Sequence, residues 1–191
     1  SDIANLAELA LHIKPKSDGT IELGCHVVDV TAHIEESSSL DRRARKRSTS
    51  VFMPQKLVNL LPQALSKTVA LGKDKESATI SVVYTLDSTT FKIKSSWIGE
   101  SVIKPSRLIT VAEITEEYNS QKQTAFLSLL EKIATAFYSE RLNYPEAKLM
   151  PSLSLFESLD DEKVNVDLNI LDRSIGSIII NEISLKLDTS V

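Results

Sequence analysis

A chain of 191 residues with 42% hydrophobic and 25% charged residues has the composition of one well-buried globular domain. Its formal net charge of −4 excludes a sequence-wide affinity for nucleic acid, so any contact with RNA must come from a local basic patch. The single cysteine, Cys25, excludes an internal disulfide and fits a reducing compartment; no apolar run has the length of a membrane span and none marks a signal peptide.

In chain order, Ile3, Leu6, Leu9, Ala10 and Ile13 can share one face of a short helix, or the LAELAL run can enter a buried strand. The turn Ser17-Asp18-Gly19 leads into a strand over 20–30. On a strand, the neighbours Cys25 and His26 point to opposite faces, so they form no catalytic dyad. Ser37-Ser38-Ser39 supplies N-cap residues for a short helix ending at Arg47, with Asp41 in its first turn. That helix holds the basic patch: Arg42, Arg43, Arg45, Lys46 and Arg47. Arg42, Arg45 and Lys46 fall on one face with Arg43 and Arg47 beside them. Such cations can each neutralise a phosphate, giving salt-sensitive, sequence-neutral binding. The competing reading is a solvated helix, with Arg47 held by a structural carboxylate such as Asp29 or Asp41.

Val51 to Met53 is a brief extended piece stopped by Pro54, and an apolar segment with Leu57, Val58, Leu60 and Leu61 ends at Pro62. After a turn at 72–75, residues 78–86 form a strand with Ile80, Val82 and Tyr84 on one face. Phe91, Ile93 and Trp97, at even spacing, mark its partner over 89–98, and Asp87-Ser88 is the hairpin between them. Residues 124–142 carry the clearest helical stripe: Phe126, Leu130, Ile133 and Phe137, widened by Leu127 and Ala134. A stripe of that kind is core rather than a base-stacking platform. Strands over 153–159 and 164–171 flank Asp160-Asp161-Glu162-Lys163, a solvated turn rather than a metal site. The tail 175–187 fits a buried strand as well as a helix. His26, Asp29 and His33 lack ligand spacing and are structural. There is no Gly-rich phosphate loop and no Gly-x-Ser-x-Gly elbow, and no cofactor is expected. With no repeat or internal boundary, residues 1–191 form one domain.

An ordered series runs through residues 21–66: Glu22, Gly24, His26, Asp29-Val30-Thr31, Leu40-Asp41, Ala44, Arg47, Phe52-Met53-Pro54, then Leu61-Pro62 to Leu65-Ser66. It resembles the central domain of the RNase II (RNB) family of 3′→5′ exoribonucleases. The resemblance implies an α+β fold in which an antiparallel or mixed sheet is packed with helices, and it favours a helix for the tail. Active members resemble two-metal phosphodiesterases, with four aspartates, three of them in a D-x-D-D-A-[LI] run, holding Mg²⁺. Laying Ala10-Leu11 on the end of that run puts Leu6, Glu8 and Leu9 on the clustered acid positions, and the fourth falls before Ser1. One glutamate flanked by leucines cannot hold two dications. The resemblance thus implies a nuclease fold with no metal site and no catalytic residue.

Phe52 stands where the family carries an aromatic near the 3′ end of threaded RNA, able to stack a base; the competing reading places it in the core. The stretches LDRRARKRSTSVFMPQKLVNLLP, ESATISVVYTLD, WIGES and SLDDEKVNVDLNILDRSIG are most similar to fungal RNB-type translational repressors, catalytically inactive RNA-binding proteins tied to cell-wall growth and cytoplasmic mRNA granules. That likeness implies single-stranded mRNA as partner, with Arg42, Arg43, Arg45, Lys46, Arg47 and Phe52 as the contacts. The family's Cys-Ser-Leu after Leu-Ser is replaced here by residues 67–71. The cold-shock and S1-type OB domains of full-length members are not in this sequence, which reads as the N-terminal half of an RNB domain. A half-domain leaves apolar surface for a protein partner or for the remainder of a larger protein. Two further readings are a structural subunit that uses the fold for protein contacts, and an exoribonuclease whose metal site another chain supplies.

Overall fold

The computed structural model describes residues 7, 9–53, 56–120, 123–143, 153–160, 163–170 and 174–189. Four antiparallel strands form the main sheet, in the order β1-β2-β5-β6. They are β1 (Leu9–Pro15), β2 (Thr20–Val28), β5 (Ser77–Asp87) and β6 (Ile93–Ile103). Between β2 and β5 the chain makes a long excursion through helix α1 (Ser39–Arg47), a short hairpin of β3 (Val51–Met53) and β4 (Lys56–Val58), and helix α2 (Gln63–Val69). After β6 come α3 (Val111–Asn119), α4 (Ala125–Leu142), the hairpin of β7 (Leu153–Asp160) and β8 (Lys163–Ile170), and α5 (Ile175–Asp188). The α+β class expected from the resemblance is therefore the fold observed.

Alternation on the strands sets what each face of the sheet does. Ile21, Leu23 and Cys25 of β2 and Val82, Tyr84 and Leu86 of β5 point to one face and are buried there. Against them pack Ile114 of α3, Leu127, Leu130, Ile133, Ala134 and Phe137 of α4, and Ile179, Ile183 and Leu187 of α5. Each large side chain so buried contributes about 1.5–3 kcal/mol. Two polar contacts fix the helices. The Tyr84 hydroxyl donates to the Lys186 carbonyl at 3.2 Å, and Arg141 of α4 grips Glu182 of α5 through two parallel bonds of 3.0 and 2.5 Å. Gly176 lets α5 approach α3, since a Cβ there would lie 2.6 Å from the Val111 carbonyl oxygen.

Some open readings are decided and other expectations change. Of the two alternatives for the first segment, residues 9–15 take the strand, because they pair with β2 along their whole length. β6 begins at Ile93, later than expected: the Asp87 carboxylate accepts from the Thr89 and Thr90 amides and holds a wider turn, in which Phe91 has φ +56°. The register then shifts between Thr85 and Leu86, so Ile93 packs on the core while Trp97 stands opposite Val83 on the other face, about half exposed. Phe126 sits on the exposed side of α4, and Leu127 and Ala134 belong to the buried stripe proper. The tail is a helix capped by Ser174, whose side chain accepts from the Ser177 amide.

Candidate nucleic-acid interface

Helix α1 starts as its sequence directs. The Ser38 side chain accepts from the Asp41 amide at 3.1 Å, and the Asp41 carboxylate accepts from the Ser37 amide at 2.9 Å. The helix stops at Ser48, held in the left-handed region at φ +63°, whose amide bonds to the Ala44 carbonyl. Five cations lie within nine residues, with Asp41 the single acid among them. They are not equivalent. Arg42 donates to the Ser37 carbonyl at 2.5 Å, and Arg45 bonds Asp41 one turn back at 3.0 Å. The hydrogen bond from Ser37, then that from Arg45, keeps the Asp41 carboxyl below its ordinary range. Arg47, half-buried, donates to the Asn59 carbonyl rather than to Asp29 or Asp41. Asp29 accepts instead from the Thr31 amide and hydroxyl, at 2.9 and 2.6 Å. Arg43 and Lys46 are exposed and have no hydrogen bond or ion pair among the described residues. The face thus pairs two solvated cations with two anchored ones, while Arg47 ties the helix to the loop after β4. The Phe52 backbone lies in β3 opposite Leu57; its side chain is outside the described residues.

The positions of the family's catalytic acids are a different matter. Leu9 enters β1 opposite Val27, half-buried and packed against the core, while Leu6 and Glu8 lie outside the described residues. Among the described residues no group of three or more His, Cys, Asp or Glu side chains is placed to hold a metal ion. A hard dication needs several oxygens, and a leucine turned into the core supplies none. Leu9, the clustered position that lies among the described residues, therefore offers no ligand to the Mg²⁺ pair of an active member. Asp160 and Lys163 close the β7–β8 hairpin as expected of a turn; Asp161 and Glu162 are outside the described residues.

Sequence reading missed one cluster. Glu22, Gly24 and His26 share the sheet face opposite the helices, and His12 of β1 lies over Gly24: a Cβ at residue 24 would stand 2.1 Å from the His12 ring. His12 then contacts Glu22 at 3.1 Å and His26 at 2.8 Å, and His26 contacts the Ser81 hydroxyl at 2.6 Å. Burial, and then the charge of His12, lowers the His26 pKa to about 4. The Glu-x-Gly-x-His spacing held the signal, a bare position between two polar ones on a single face. The identity of the fourth partner, on a strand far along the chain, was not in it.

The basic helix stands on the connection between two antiparallel strands, beside a sheet backed by three helices, and the sequence that folds this way matches the RNB domain along residues 1–191. The chain belongs to the RNB domain family. This RNB chain is 58% identical to Protein SSD1 of Saccharomyces cerevisiae over 191 residues, all of this chain and 15% of that protein. It is 38% identical to Virulence protein SSD1 of Candida albicans, over 95% of this chain and 15% of that one. The RNB chain therefore spans about 15% of the length of the curated relatives it matches. Among solved structures it is similar to yeast Ssd1, described as a pseudonuclease, with a TM-score of 0.80 and 58% identity over 97% of this chain and 23% of that one. Mycoplasma genitalium RNase R, solved with ribose-methylated single-stranded RNA, shares the fold at a TM-score of 0.77 and 15% identity, over 94% of this chain and 29% of that one.

Proposed function

We propose that this RNB chain is part of a pseudonuclease that holds single-stranded mRNA without hydrolysing it, and thereby represses translation in a fungal cytoplasm, with genes of cell-wall growth among its targets. The observation that carries the reading is the combination of an acid position filled by a core-packed leucine, Leu9, with an exposed basic helix that keeps Arg43 and Lys46 unengaged among the described residues. The likeness to yeast Ssd1 supports the loss of catalysis, and the RNA-bound relatives support RNA as the ligand class. Phosphate contacts from a helix of this kind position the strand without reading its sequence. Phe52, in the hairpin that follows, is the proposed stacking aromatic.

The test is anisotropy of a labelled single strand of roughly 20 nucleotides at two salt concentrations with Mg²⁺ present, the same samples then being run on a denaturing gel. Salt-sensitive binding, weakening of that binding in Arg43→Ala/Lys46→Ala, and intact RNA are the expected results. Removing two phosphate contacts from a single strand lowers the log–log salt slope by about 1.4. Shortening of the RNA from its 3′ end would restore the exoribonuclease reading.

A second reading has its own observation. The edge strand β6 exposes Trp97, Ile98 and Val102, at 52%, 45% and 69%. An apolar sheet edge of this kind suits a protein contact, with another chain or with the rest of a longer protein. Intact RNA with no binding at either salt concentration would favour it.

A further inference from the structure

On the sheet face opposite the helices, a continuous chain of hydrogen bonds crosses all four strands. From the solvent side inward, Lys16 Nζ lies 2.7 Å from Glu22 Oε2, and Glu22 Oε1 lies 3.1 Å from His12 Nε2. His12 Nδ1 lies 2.8 Å from His26 Nε2, and His26 Nδ1 lies 2.6 Å from Ser81 Oγ. Ser81 Oγ continues to Ser101 Oγ at 2.5 Å and Thr79 Oγ1 at 3.2 Å. The outer end is open to water, with 40% of the His12 side chain exposed, whereas His26, Ser81 and Thr79 are buried. The two imidazoles stack at 5.0 Å between centroids and 22° between planes.

We propose that Glu22, His12, His26 and Ser81 form a one-proton relay: the imidazole pair takes up a single proton, held on His12, and transmits the change to the buried hydroxyls by reversing every hydrogen bond between them. The proposal stands apart from the RNA reading and uses none of its residues.

The chain has only two fully satisfied proton arrangements. A carboxylate only accepts, so His12 Nε2 carries a proton and donates to Glu22. When His12 is neutral its Nδ1 must accept, which puts the His26 proton on Nε2 and leaves His26 Nδ1 to accept from Ser81. When His12 is charged its Nδ1 donates. His26 Nε2 then accepts, the His26 proton sits on Nδ1 and donates to Ser81, and Ser81 turns its own proton to Ser101 or Thr79. One proton is gained overall, no bond in the chain is lost, and the proton between the rings passes from His26 to His12. A second proton would set N–H against N–H across 2.8 Å, beside a like charge, in a part-buried contact. The pair therefore titrates as one unit. Its charged neighbours are Glu22 of β2, with Lys16 on that carboxylate's other oxygen, and Lys14 two residues along the same face of β1. Among the described residues, β5 and β6 bring hydroxyls to the relay. Its inner end reaches Thr79, in register with Val28, where the chain leaves the sheet for α1.

The experiment is a long-range ¹H–¹⁵N titration of the imidazoles in the labelled chain from pH 8 to pH 5, with the exposed His33 as internal reference. At the high end both relay rings are expected in the Nε2–H form. Through one shared transition, His12 becomes doubly protonated and His26 reverses to the Nδ1–H form without gaining charge. A His26 tautomer that stays fixed while His12 charges, or a native spectrum with both rings charged, would overturn the relay. Glu22→Gln removes the anion that favours charged His12 and leaves the core untouched. It should move both changes to lower pH together. Movement of the His12 change alone would show two independent histidines and end the proposal.

Discussion

Cys25 and His26 are one peptide bond apart and occupy opposite media. Cys25 is fully enclosed between sheet and helices, where burial pushes its thiol up to about 12, so the reactive thiolate is suppressed at neutral pH. The native chain is expected to leave a thiol-reactive disulfide reagent unconsumed at pH 8, and to consume one equivalent only on denaturation. His26 has been moved the other way, to about 4 against an ordinary 6.5. Above 6.5 the ring is neutral in both folded and unfolded chains. As the pH falls from 6.5 towards 4 the unfolded chain binds the proton and the folded ring does not, so stability is lost over that window, by about 3 kcal/mol in all. Urea melts at pH 7 and pH 4.5 measure the loss, and His26→Gln should flatten it.

At the level of elements, the helices rest on packing with a little help from their ends. Ile133 and Leu130 of α4 are almost completely buried, and either one replaced by Ala should cost about 2–5 kcal/mol in a denaturant melt. Gly176→Ala brings a methyl group against a backbone oxygen on α3, which cannot swing aside as a side chain would. A loss of about 1–3 kcal/mol is expected, with an unchanged far-ultraviolet spectrum. A regular pattern with a stop signal beside it made β2, β5, α4 and β8 readable, and the serine N-cap made α1 readable. Helix α3 went unread although Thr110 and Glu113 form a capping box, because its nine residues bury only Ile114 among the apolar positions and show little stripe. The two faces of β6 were misassigned because a one-residue register shift reverses every side chain beyond it, and alternation alone carries no mark of a bulge. At α1 the cations were legible and their partners were not. Arg47 finds a main-chain carbonyl contributed by a loop twelve residues on, a contact that only the folded path of the chain creates.

At the scale of the molecule, the described residues place the buried core on one face of the main sheet. Three helices cover one sheet face, the polar relay lines the other, and the basic helix stands on the excursion between β2 and β5. If the Mg²⁺ pair of active relatives has no counterpart here, millimolar Mg²⁺ and a chelator should leave the melting temperature equal, since a ligand stabilises only through a site in the folded state. A chelator-induced drop would mean that a metal site exists.

The excursion departs after Val28 and returns before Ser77, and Val28 lies in register with Thr79 on the adjacent strand. Its two ends are thus nearly where a tight hairpin would place them. Geometrically it is a cassette hung from one corner of the sheet, anchored elsewhere by the Ala7–Leu71 bridge and by buried Val69 and Leu71. Replacing the cassette with a two-residue turn should leave the β2–β5 register in place and a folded body without the basic helix, weakened by the loss of Val69 and Leu71 and checked by a denaturant melt.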